Sequence, residues 1–498
     1  MRITKACIIL CVVATGLGCV ESTHQTTKEM GEEYRPQFHF TPPSQWMNDP
    51  NGMFFYEGEY HLFYQHYPDS NVWGPMHWGH AVSKDLISWE HLPIAIYPDS
   101  LGYIFSGSAV VDWTNSSGFG TDQKTPVVAI FTYHNPAGEK AGRTDFQSQA
   151  IAYSLDKGRS WKKYEGNPVL PNQGIRDFRD PKVFWLESAQ KWIMTLAEKD
   201  HVSFYTSVDL RTWDKASDFG FEYGSHGGVW ECPDLFEIAI DGSEQTRWVL
   251  LVSINPGGPN GGSATQYFVG DFNGERFQLD SAFEARVQDE AAVWLDYGAD
   301  NYAGVTWSDV PQDDGRRLFI GWMSNWQYAQ VVPTTHWRSA MTIPRSLRLL
   351  ALHSESFLLK SEPVSEIDHY LSVPSGTDSD KDKGYRLTMS VREGARVTLL
   401  NDIGNKVTIE IDADSLFFDR SNSGLVEFEE GFGVVHSMPL GAVKLEKMTV
   451  FVDISSIEIF LNDGELVMTE LVFPGKILNR FETNDRVSDI EKMMVQSF

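Results

Sequence analysis

The sequence has few cysteines, and their positions exclude a disulfide framework. Four occur among 498 residues, and Cys7, Cys11 and Cys19 all lie near the N-terminus. The rest of the chain keeps only Cys232, so it cannot form an internal disulfide. Hydrophobic residues make up 42% of the chain, enough for a large core that stabilises an extracytoplasmic protein without disulfides. The length predicts two or three domains.

Positive charge is also scarce. The chain has 41 Lys and Arg against 68 Asp and Glu, a formal net charge of −27. Nucleic acids and anionic membrane surfaces are bound by clustered Lys and Arg, so we exclude nucleic acid as a partner. A neutral ligand is compatible with this charge. The 16 tryptophans suit a sugar-binding surface and a β-rich core equally well.

Long hydrophobic runs are missing after the N-terminal segment, so no later part of the sequence predicts a membrane-spanning helix. Arg2 and Lys5 precede a short apolar run that ends at Cys19, which predicts a signal peptide over residues 1–19. The segment is either an ordinary cleaved signal or a lipoprotein signal with Cys19 as the lipidated residue. Residues 20–33 are polar and predict a tether. We expect an extracytoplasmic protein, either lipid-anchored at the envelope or periplasmic or secreted, with membrane contact only through that anchor.

Helical periodicity is missing as well, and short β-rich runs alternate with turn residues. A Ser-x-Asp pattern followed by Trp occurs at 83–89, 154–161 and 207–213, as expected of repeated four-stranded units. We therefore predict an all-β protein, with a five-bladed β-propeller over residues 34–345. Residues 346–365 predict a linker, and residues 366–498 predict an antiparallel β-sandwich.

Three segments place carboxyl groups where chemistry is plausible: Trp46–Gly52, Phe178–Pro181 and Trp230–Asp234. The first is also a strong turn sequence. A calcium loop is a further alternative, but Pro50 breaks the ligand spacing of such a loop and no Glu follows at its twelfth position. The second is compatible with an exposed ion pair. In the third, Trp and Cys flank Glu231, and an apolar setting raises the pKa of a carboxyl, as a general acid requires. Residue types alone leave these alternatives open.

Together and in this order, the three segments resemble the signature motifs of glycoside hydrolase family 32, the invertase, inulinase and levanase family. The resemblance spans about residues 34–475. It implies a five-bladed propeller followed by a sandwich, with Asp49 as the nucleophile, Glu231 as the general acid/base and Asp180 as the transition-state stabiliser. Further segments that resemble the family are 63–65, 78–80, 85–89, 105–108, 300–302, 321–323 and 453–460.

The resemblance also implies how a fructosyl ring would be held. Arg179 is expected to fix the geometry of Asp180. The side chains expected to bind sugar hydroxyls are Asn48, Gln65, Ser106 and Tyr302. Those expected to form apolar walls are Trp46, Trp73, Phe105 and Trp322.

The expected activity is that of a bacterial exo-acting fructan β-fructosidase, which releases terminal fructose from levan, inulin and sucrose by double displacement. An endo-acting levanase or inulinase, a fructosyltransferase and a non-catalytic glycan-binding lipoprotein are the alternatives. A propeller glycosidase acting on arabinosyl or xylosyl units is disfavoured by the first motif and the sandwich signature.

No cofactor or metal is expected. His77 and His80 have a spacing compatible with a metal pair, but no zinc motif accompanies them, and we interpret both as structural. Cys232 is interpreted as a buried packing residue that can influence the environment of Glu231.

Overall fold

The structure is a computed structural model that describes residues 32–352 and 356–496. The predicted signal peptide, Cys19 and all but the last residues of the predicted tether lie outside these ranges. Within them, helices are confined to α1 (Pro136–Lys140), α2 (Ser281–Glu290) and two 3₁₀ turns at Ser365–Tyr370 and Asp378–Asp382. None of these is long and apolar enough to cross a membrane. The described chain is therefore nearly all β, as the sequence predicted.

The first part of the chain folds into five antiparallel sheets, counted over the described residues. Four of them follow chain order, as expected where short turns join neighbouring strands. The fifth combines the strands Tyr302–Thr306, Arg317–Met323, Arg345–Ala351 and Phe357–Pro363, with Ala340–Met341 paired to the second of these, and Trp337–Arg338 adds to the first sheet parallel to Gln45–Tyr56. The strands are β1 (Gln45–Tyr56), β2 (Glu59–Tyr67), β3 (His77–Ser83), β4 (Trp89–Ile96), β5 (Tyr103–Val111), β6 (Val127–His134), β7 (Gln147–Ser154), β8 (Lys162–Lys163), β9 (Phe178–Leu186), β10 (Lys191–Glu198), β11 (His201–Ser207), β12 (Asp214–Phe219), β13 (Val229–Ala239), β14 (Thr246–Asn255), β15 (Ala264–Phe272), β16 (Phe277–Leu279), β17 (Tyr302–Thr306), β18 (Arg317–Met323), β19 (Trp337–Arg338), β20 (Ala340–Met341), β21 (Arg345–Ala351) and β22 (Phe357–Pro363).

The first strands of the five sheets contact one another in a closed ring. β1 contacts β5, β5 contacts β9, β9 contacts β13, β13 contacts β17, and β17 returns to β1. Segments far apart in the chain thus meet around one axis, and groups at the same end of these strands can face a common cavity.

The Ser-x-Asp…Trp repeat forms the same turn in three successive sheets, between the third and fourth strands. In the copy at 83–89, Asp85 accepts hydrogen bonds from the backbone N–H groups of Ile87 and Ser88 at 3.0 and 2.8 Å. The Trp89 indole then donates to the Leu86 carbonyl at 3.0 Å. The Trp of each other copy closes its turn in the same way, at 3.0 and 3.1 Å. The repeat is therefore a turn motif with a local physical cause.

Residues 346–365, for which the sequence predicted a linker, contain most of β21 and all of β22, and these two strands pair with each other. β21 also pairs with β18. Alternation explains the difference, since Leu347, Leu349, Phe357 and Leu359 are all buried in one core cluster. Arg348 separates Leu347 from Leu349 on β21, and Lys360, Ser361 and Glu362 follow Leu359 on β22, so polar residues disguised this pattern in the sequence.

The C-terminal part contains two antiparallel sheets whose buried faces share one hydrophobic cluster. Side chains alternate between buried and partly exposed along the strands, as in a half-buried sheet. The strands of the first sheet are β23 (Leu371–Ser372), β24 (Tyr385–Val391), β29 (Lys447–Val452), β30 (Ser456–Leu461), β31 (Leu466–Leu471) and β33 (Val487–Val495). Those of the second are β25 (Arg396–Leu400), β26 (Lys406–Ile411), β27 (Ser415–Asp419), β28 (Val435–Pro439) and β32 (Arg480–Thr483).

Buried ion pairs join the two parts of the chain. Arg345 contacts Asp296 at 3.0 Å and Glu458 at 2.6 Å, and all three side chains are fully buried. Glu458 also contacts His39 at 2.8 Å, and the other ring nitrogen of His39 lies 2.7 Å from Asp453. Because a buried charge without its partner is costly, this network fixes how the C-terminal sheets sit against the ring of five sheets.

Candidate active site

We call the first strands of the five sheets the ring strands. The pairing of each ring strand with the neighbouring strand is interrupted at the same end. In each, two residues have no register partner on the neighbouring strand: 48–49, 105–106, 180–181, 232–233 and 303–304. Asp180, Cys232 and Ala303 also adopt positive φ angles of 65°, 47° and 53°. Bulges of this kind re-aim side chains that a regular strand would point elsewhere. They turn the three predicted acids toward one cavity.

Asp49 lies in the bulge of β1 with both carboxylate oxygens held. The Ser106 hydroxyl donates to Oδ2 at 2.7 Å, and the Asn48 amide donates to Oδ1 at 2.9 Å. Asn48 is in turn fixed by the Trp46 indole, which donates to its Oδ1 at 2.7 Å. The carboxylate therefore has a defined direction relative to the cavity.

Glu231 faces two kinds of donor. Arg179 donates from Nε at 3.0 Å and from Nη2 at 2.7 Å to Oε1 of Glu231, and the Tyr302 hydroxyl donates to Oε2. Burial raises the pKa of Glu231, and the Arg179 guanidinium opposes that rise. The charge of Asp49 adds to the rise. A carboxyl with a raised pKa retains its proton at pH values where an ordinary Glu has lost it.

Asp180 lies deeper than the other two acids and is only 5% exposed. The Cys232 backbone N–H donates to its Oδ2 at 3.0 Å, and Arg179 Nε lies 3.9 Å from the same oxygen. Burial raises the pKa of Asp180 to about 7, against the charge of Arg179 and with the charges of Glu231 and Asp49.

Cys232 connects the acids physically. Its Sγ lies 3.8 Å from Oδ2 of Asp49 and 3.7 Å from Oδ2 of Asp180. Burial raises the pKa of its thiol well above the usual range, and the neighbouring carboxylates raise it further. The thiol is therefore a neutral, weak hydrogen-bond donor, in a position that agrees with a packing residue beside Glu231.

The three acids open into a cavity of about 330 Å³. Six of the predicted binding residues line it: Asn48, Gln65, Trp73, Phe105, Ser106 and Arg179. Trp73 and Phe105 pack edge to face, with ring centroids 6.1 Å apart, and form an apolar wall. The side-chain Nε2 of Gln65 is buried and has no partner among the described residues. A buried donor without a partner is costly, so this amide is ready for a ligand acceptor.

Trp46, Tyr302 and Trp322 do not line the cavity and lie behind its surface, where each is at most 1% exposed. Trp46 positions Asn48 and Tyr302 contacts Glu231. Trp322 packs against both aromatic rings, with centroids 6.3 and 6.2 Å away. These three side chains support the groups that face the ligand.

The sequence interpretation missed several lining residues. Trp326 stacks on Trp46 with ring centroids 5.8 Å apart and forms a further wall. His134 ends β6 opposite Tyr103, a register that is readable only once β5 and β6 are aligned. Trp326 and its neighbours lie in an irregular loop that carries no pattern. The other missed lining residues are Glu139, Phe146, Gln147, Asp177, Val229, Asn255 and Gln330.

The two histidines weighed as a metal pair lie apart from this cavity and have separate partners. His77 Nδ1 donates to the Pro75 carbonyl at 2.9 Å, and His80 Nε2 lies 3.0 Å from His61 Nδ1. Among the described residues, a group with metal-like spacing is Glu198, His201 and Asp218. The Lys215 ammonium sits against both of its acids, at 3.2 and 2.8 Å.

Two carboxyl groups on facing strands of a sugar-sized cavity, one with a raised pKa, define the machinery of a glycoside hydrolase. The sequence profile described as "Glycosyl hydrolases family 32 N-terminal domain" matches residues 39–362, and that described as "Glycosyl hydrolases family 32 C terminal" matches residues 359–496. The chain belongs to glycoside hydrolase family 32.

Curated relatives agree with this assignment. A levanase from Bacillus subtilis (strain 168) is 48% identical over 469 residues, covering 89% of this chain and 67% of the relative. An extracellular exo-inulinase from Aspergillus awamori is 39% identical over 488 residues, covering 89% and 90%.

Solved structures agree as well. The crystal structure of exo-inulinase from Aspergillus awamori superposes with a TM-score of 0.83 at 34% identity, covering 93% of this chain and 99% of that one. The β-fructofuranosidase of Schwanniomyces occidentalis complexed with fructosyl-erythritol gives a TM-score of 0.79 at 32% identity, covering 94% and 99%.

Proposed function

We propose that this protein is a secreted, retaining, exo-acting β-fructosidase that releases terminal fructose from levan, inulin and sucrose. The observation that carries the proposal is the pairing of Asp49 and Glu231 across one cavity, each held by its own hydrogen-bond partners. The relatives named levanase and exo-inulinase support fructose polymers as the substrate class.

Asp49 acts as the nucleophile. Its carboxylate attacks the anomeric C2 of the terminal fructosyl unit while the bond from C2 to the departing oxygen breaks, which gives a covalent fructosyl-enzyme. Water then attacks C2, the bond to Asp49 breaks, and fructose leaves with its configuration retained. Ser106 and Asn48 keep the attacking carboxylate in place through both steps.

Glu231 is the general acid in the first step and the general base in the second. Its transferable proton resides on Oε2, because Oε1 faces two N–H groups of Arg179, which accept no hydrogen bond. The Tyr302 hydroxyl at Oε2 donates to the carboxylate and accepts from the carboxylic acid, so it serves both protonation states. The proton passes to the leaving oxygen and is recovered from the attacking water.

Asp180 stabilises the transition state by hydrogen bonding to fructosyl hydroxyls. Asn48, Gln65 and Ser106 hold further hydroxyls, with the free amide of Gln65 as a donor. Trp73 and Phe105, together with Trp326, exclude water from the reacting centre.

We assign the closed ring of five sheets to a five-bladed propeller, with β1, β5, β9, β13 and β17 as the innermost strands. The acids then lie at one mouth of its axis. We place the boundary with the C-terminal sandwich after β22, near residue 363. A cavity of about 330 Å³ with the acids in its wall suits a single terminal ring, which favours exo action over cleavage within a chain.

A time course of products from levan, inulin and sucrose tests the proposal. Free fructose from the first minutes is expected with all three substrates. Early ladders of short fructans contradict exo action, and fructosylated products at moderate sucrose concentration indicate a transferase. If none of the three substrates is turned over, that result contradicts the assignment and favours the alternative of a glycan-binding protein.

Secretion is part of the proposal, supported by relatives named extracellular. Lipidation of Cys19 is tested by fractionation of cells that express the full chain. A lipoprotein is found with the membranes, and Cys19→Ala releases it. Equal release of the parent and the variant contradicts the anchor.

A further inference from the structure

A second and larger cavity, of about 880 Å³, lies at the opposite end of the ring strands. Two of the strands that carry the acids, β9 and β13, contribute to it further along. Lys182 follows Asp180 by two residues on β9, and Asp234 follows Glu231 by three on β13. Neither residue has a part in the proposed reaction, so this cavity is separate from the active site.

The floor of this cavity is polar and incompletely paired. Asp234 is fully buried, and its Oδ2 accepts from the Thr306 backbone N–H at 2.6 Å. Its Oδ1 has no hydrogen-bond partner among the described residues. Lys182 lies beside it, with Nζ 3.6 Å from Oδ2. A hydrogen bond from a ligand donor to a buried acceptor that has no partner contributes more to binding than one to an acceptor that is already paired.

The rim is aromatic. Trp113 is 63% exposed and held by a hydrogen bond of 3.0 Å from its indole to Asp309. Trp185 is half-buried and donates to Glu187 at 2.7 Å. Both indoles are therefore fixed by carboxylates while parts of their surfaces remain open to the cavity. Exposed, pre-oriented aromatic rings bind ligands at low entropic cost.

The combination selects a neutral ligand. Lys182 and Arg317 face four carboxyl groups, those of Asp234, Asp309, Glu187 and Glu237, so an anionic ligand would meet net repulsion in this cavity. Flat aromatic faces suit the C–H faces of sugar rings, and the mixed donors and acceptors suit hydroxyl groups. The volume lies within the range of ligand sites, about 300–1,000 Å³.

We propose that this cavity is a second, non-catalytic site that binds a neutral sugar chain, with Trp113 and Trp185 as stacking platforms and Asp234 as a buried acceptor. The binding site stands without the proposed reaction, whereas the identity of the chain as fructan rests on it. A site at the far mouth of the axis would hold a polymer near the enzyme while another chain end is cleaved.

Equilibrium dialysis of the full chain carrying Asp49→Ala tests the site, with the fructan tetrasaccharide nystose and with maltotetraose as probes. Two nystose sites per chain are expected, and adding Trp113→Ala weakens one of them by about tenfold. Trp185→Ala is the second variant. Phe221→Ala, an aromatic residue that is 60% exposed and outside both cavities, is the matched control and changes neither site.

Occupation of the second site by maltotetraose alone supports a sugar site and assigns it to a chain other than fructan. One nystose site and no maltotetraose site overturns the proposal, as does unchanged binding in both Trp variants. With Asp49 intact, Trp113→Ala is expected to raise KM for levan by roughly threefold to tenfold and to leave sucrose turnover unchanged. A parent that hydrolyses none of levan, inulin and sucrose refutes the proposed reaction and leaves the dialysis to decide this site.

Discussion

Arg179 donates two hydrogen bonds to a single oxygen of Glu231, from Nε at 3.0 Å and from Nη2 at 2.7 Å. The same guanidinium holds Asp177 through Nη1 at 2.7 Å. Its charge lowers the pKa of Glu231 against the stronger effect of burial, which raises it. The proton affinity of the proposed acid is thus set by opposing causes, and a single substitution removes Arg179, which lowers it.

Arg179→Gln is expected to move the alkaline limb of the kcat/KM profile to higher pH, because the guanidinium that lowers the pKa of Glu231 is removed. Glu231 must be protonated to act as the acid, so activity falls as pH rises through its pKa. Loss of the guanidinium raises that pKa further. The measurement is sucrose hydrolysis against pH. Arg159→Gln, which removes an exposed ion pair with Glu59, is the control. An alkaline limb that stays in place or moves to lower pH contradicts this account.

Asp49→Ala is expected to lower kcat by a factor of about 10⁴ or more while the fold is kept, because no other group can form the covalent intermediate. Ser106→Ala is the matched comparison. It removes one 2.7 Å hydrogen bond to Asp49 and is expected to cost about tenfold. Steady-state kinetics and thermal unfolding of both variants check the pair. Near-normal turnover by Asp49→Ala would falsify the assignment of the nucleophile.

The loss of activity in Glu231→Ala is expected to depend on the leaving group of the substrate. Sucrose needs a proton on its departing oxygen, so its hydrolysis falls by about 10²–10⁴. The acidic phenol of an aryl β-fructoside departs without that proton. The rate of the first step with this substrate is therefore expected to fall much less. Parallel kinetics with the two substrates decide the point. Equal losses for both are incompatible with a general acid.

Gln65→Leu separates binding from stability. The buried Nε2 has no partner among the described residues, so its removal leaves the unfolding temperature equal or higher. The loss of a hydrogen bond to substrate is expected to lower kcat/KM for sucrose by about threefold to tenfold. Kinetics and calorimetry measure the two effects. A destabilised variant with normal kinetics indicates a structural role instead.

We expect the protein to lose stability at alkaline pH because of His39. Burial lowers its pKa, but Asp453 and Glu458 outweigh burial and raise the pKa to about 9. Because the unfolded pKa is about 6.5, the contribution is complete below that value and is lost as pH rises through 9. The shift corresponds to about 3 kcal/mol. The unfolding free energy of the parent should therefore fall over this window.

His39→Gln is the matched variant, since it keeps a polar side chain of similar size and cannot titrate. It is expected to be less stable than the parent at pH 7 and to show a flatter decline between pH 7 and 9.5. Denaturant unfolding at a series of pH values gives both slopes. Parallel curves for parent and variant mean that other groups set the alkaline limit.

Much of the site was predictable because its motifs are local. Asp49, Asp180 and Glu231 each lie beside a Pro or Cys in a short segment where the strand bulges, and the structure brings all three to one cavity. The Asp85–Trp89 turn is local in the same sense, since its hydrogen bonds span at most three residues.

The sequence alone determined the all-β class, the repeated turn, the family and the segments that carry the acids, because each depends on neighbouring residues. Only the tertiary structure decided which side chains face the ligand. The contact between Cys232 and Asp49 joins residues 183 positions apart, and it exists because the ring of strands closes. Ring closure also placed Trp326 at the cavity and Trp46, Tyr302 and Trp322 behind it. Burial, and with it the raised pKa of Glu231, is a property of that closed ring and not of any segment.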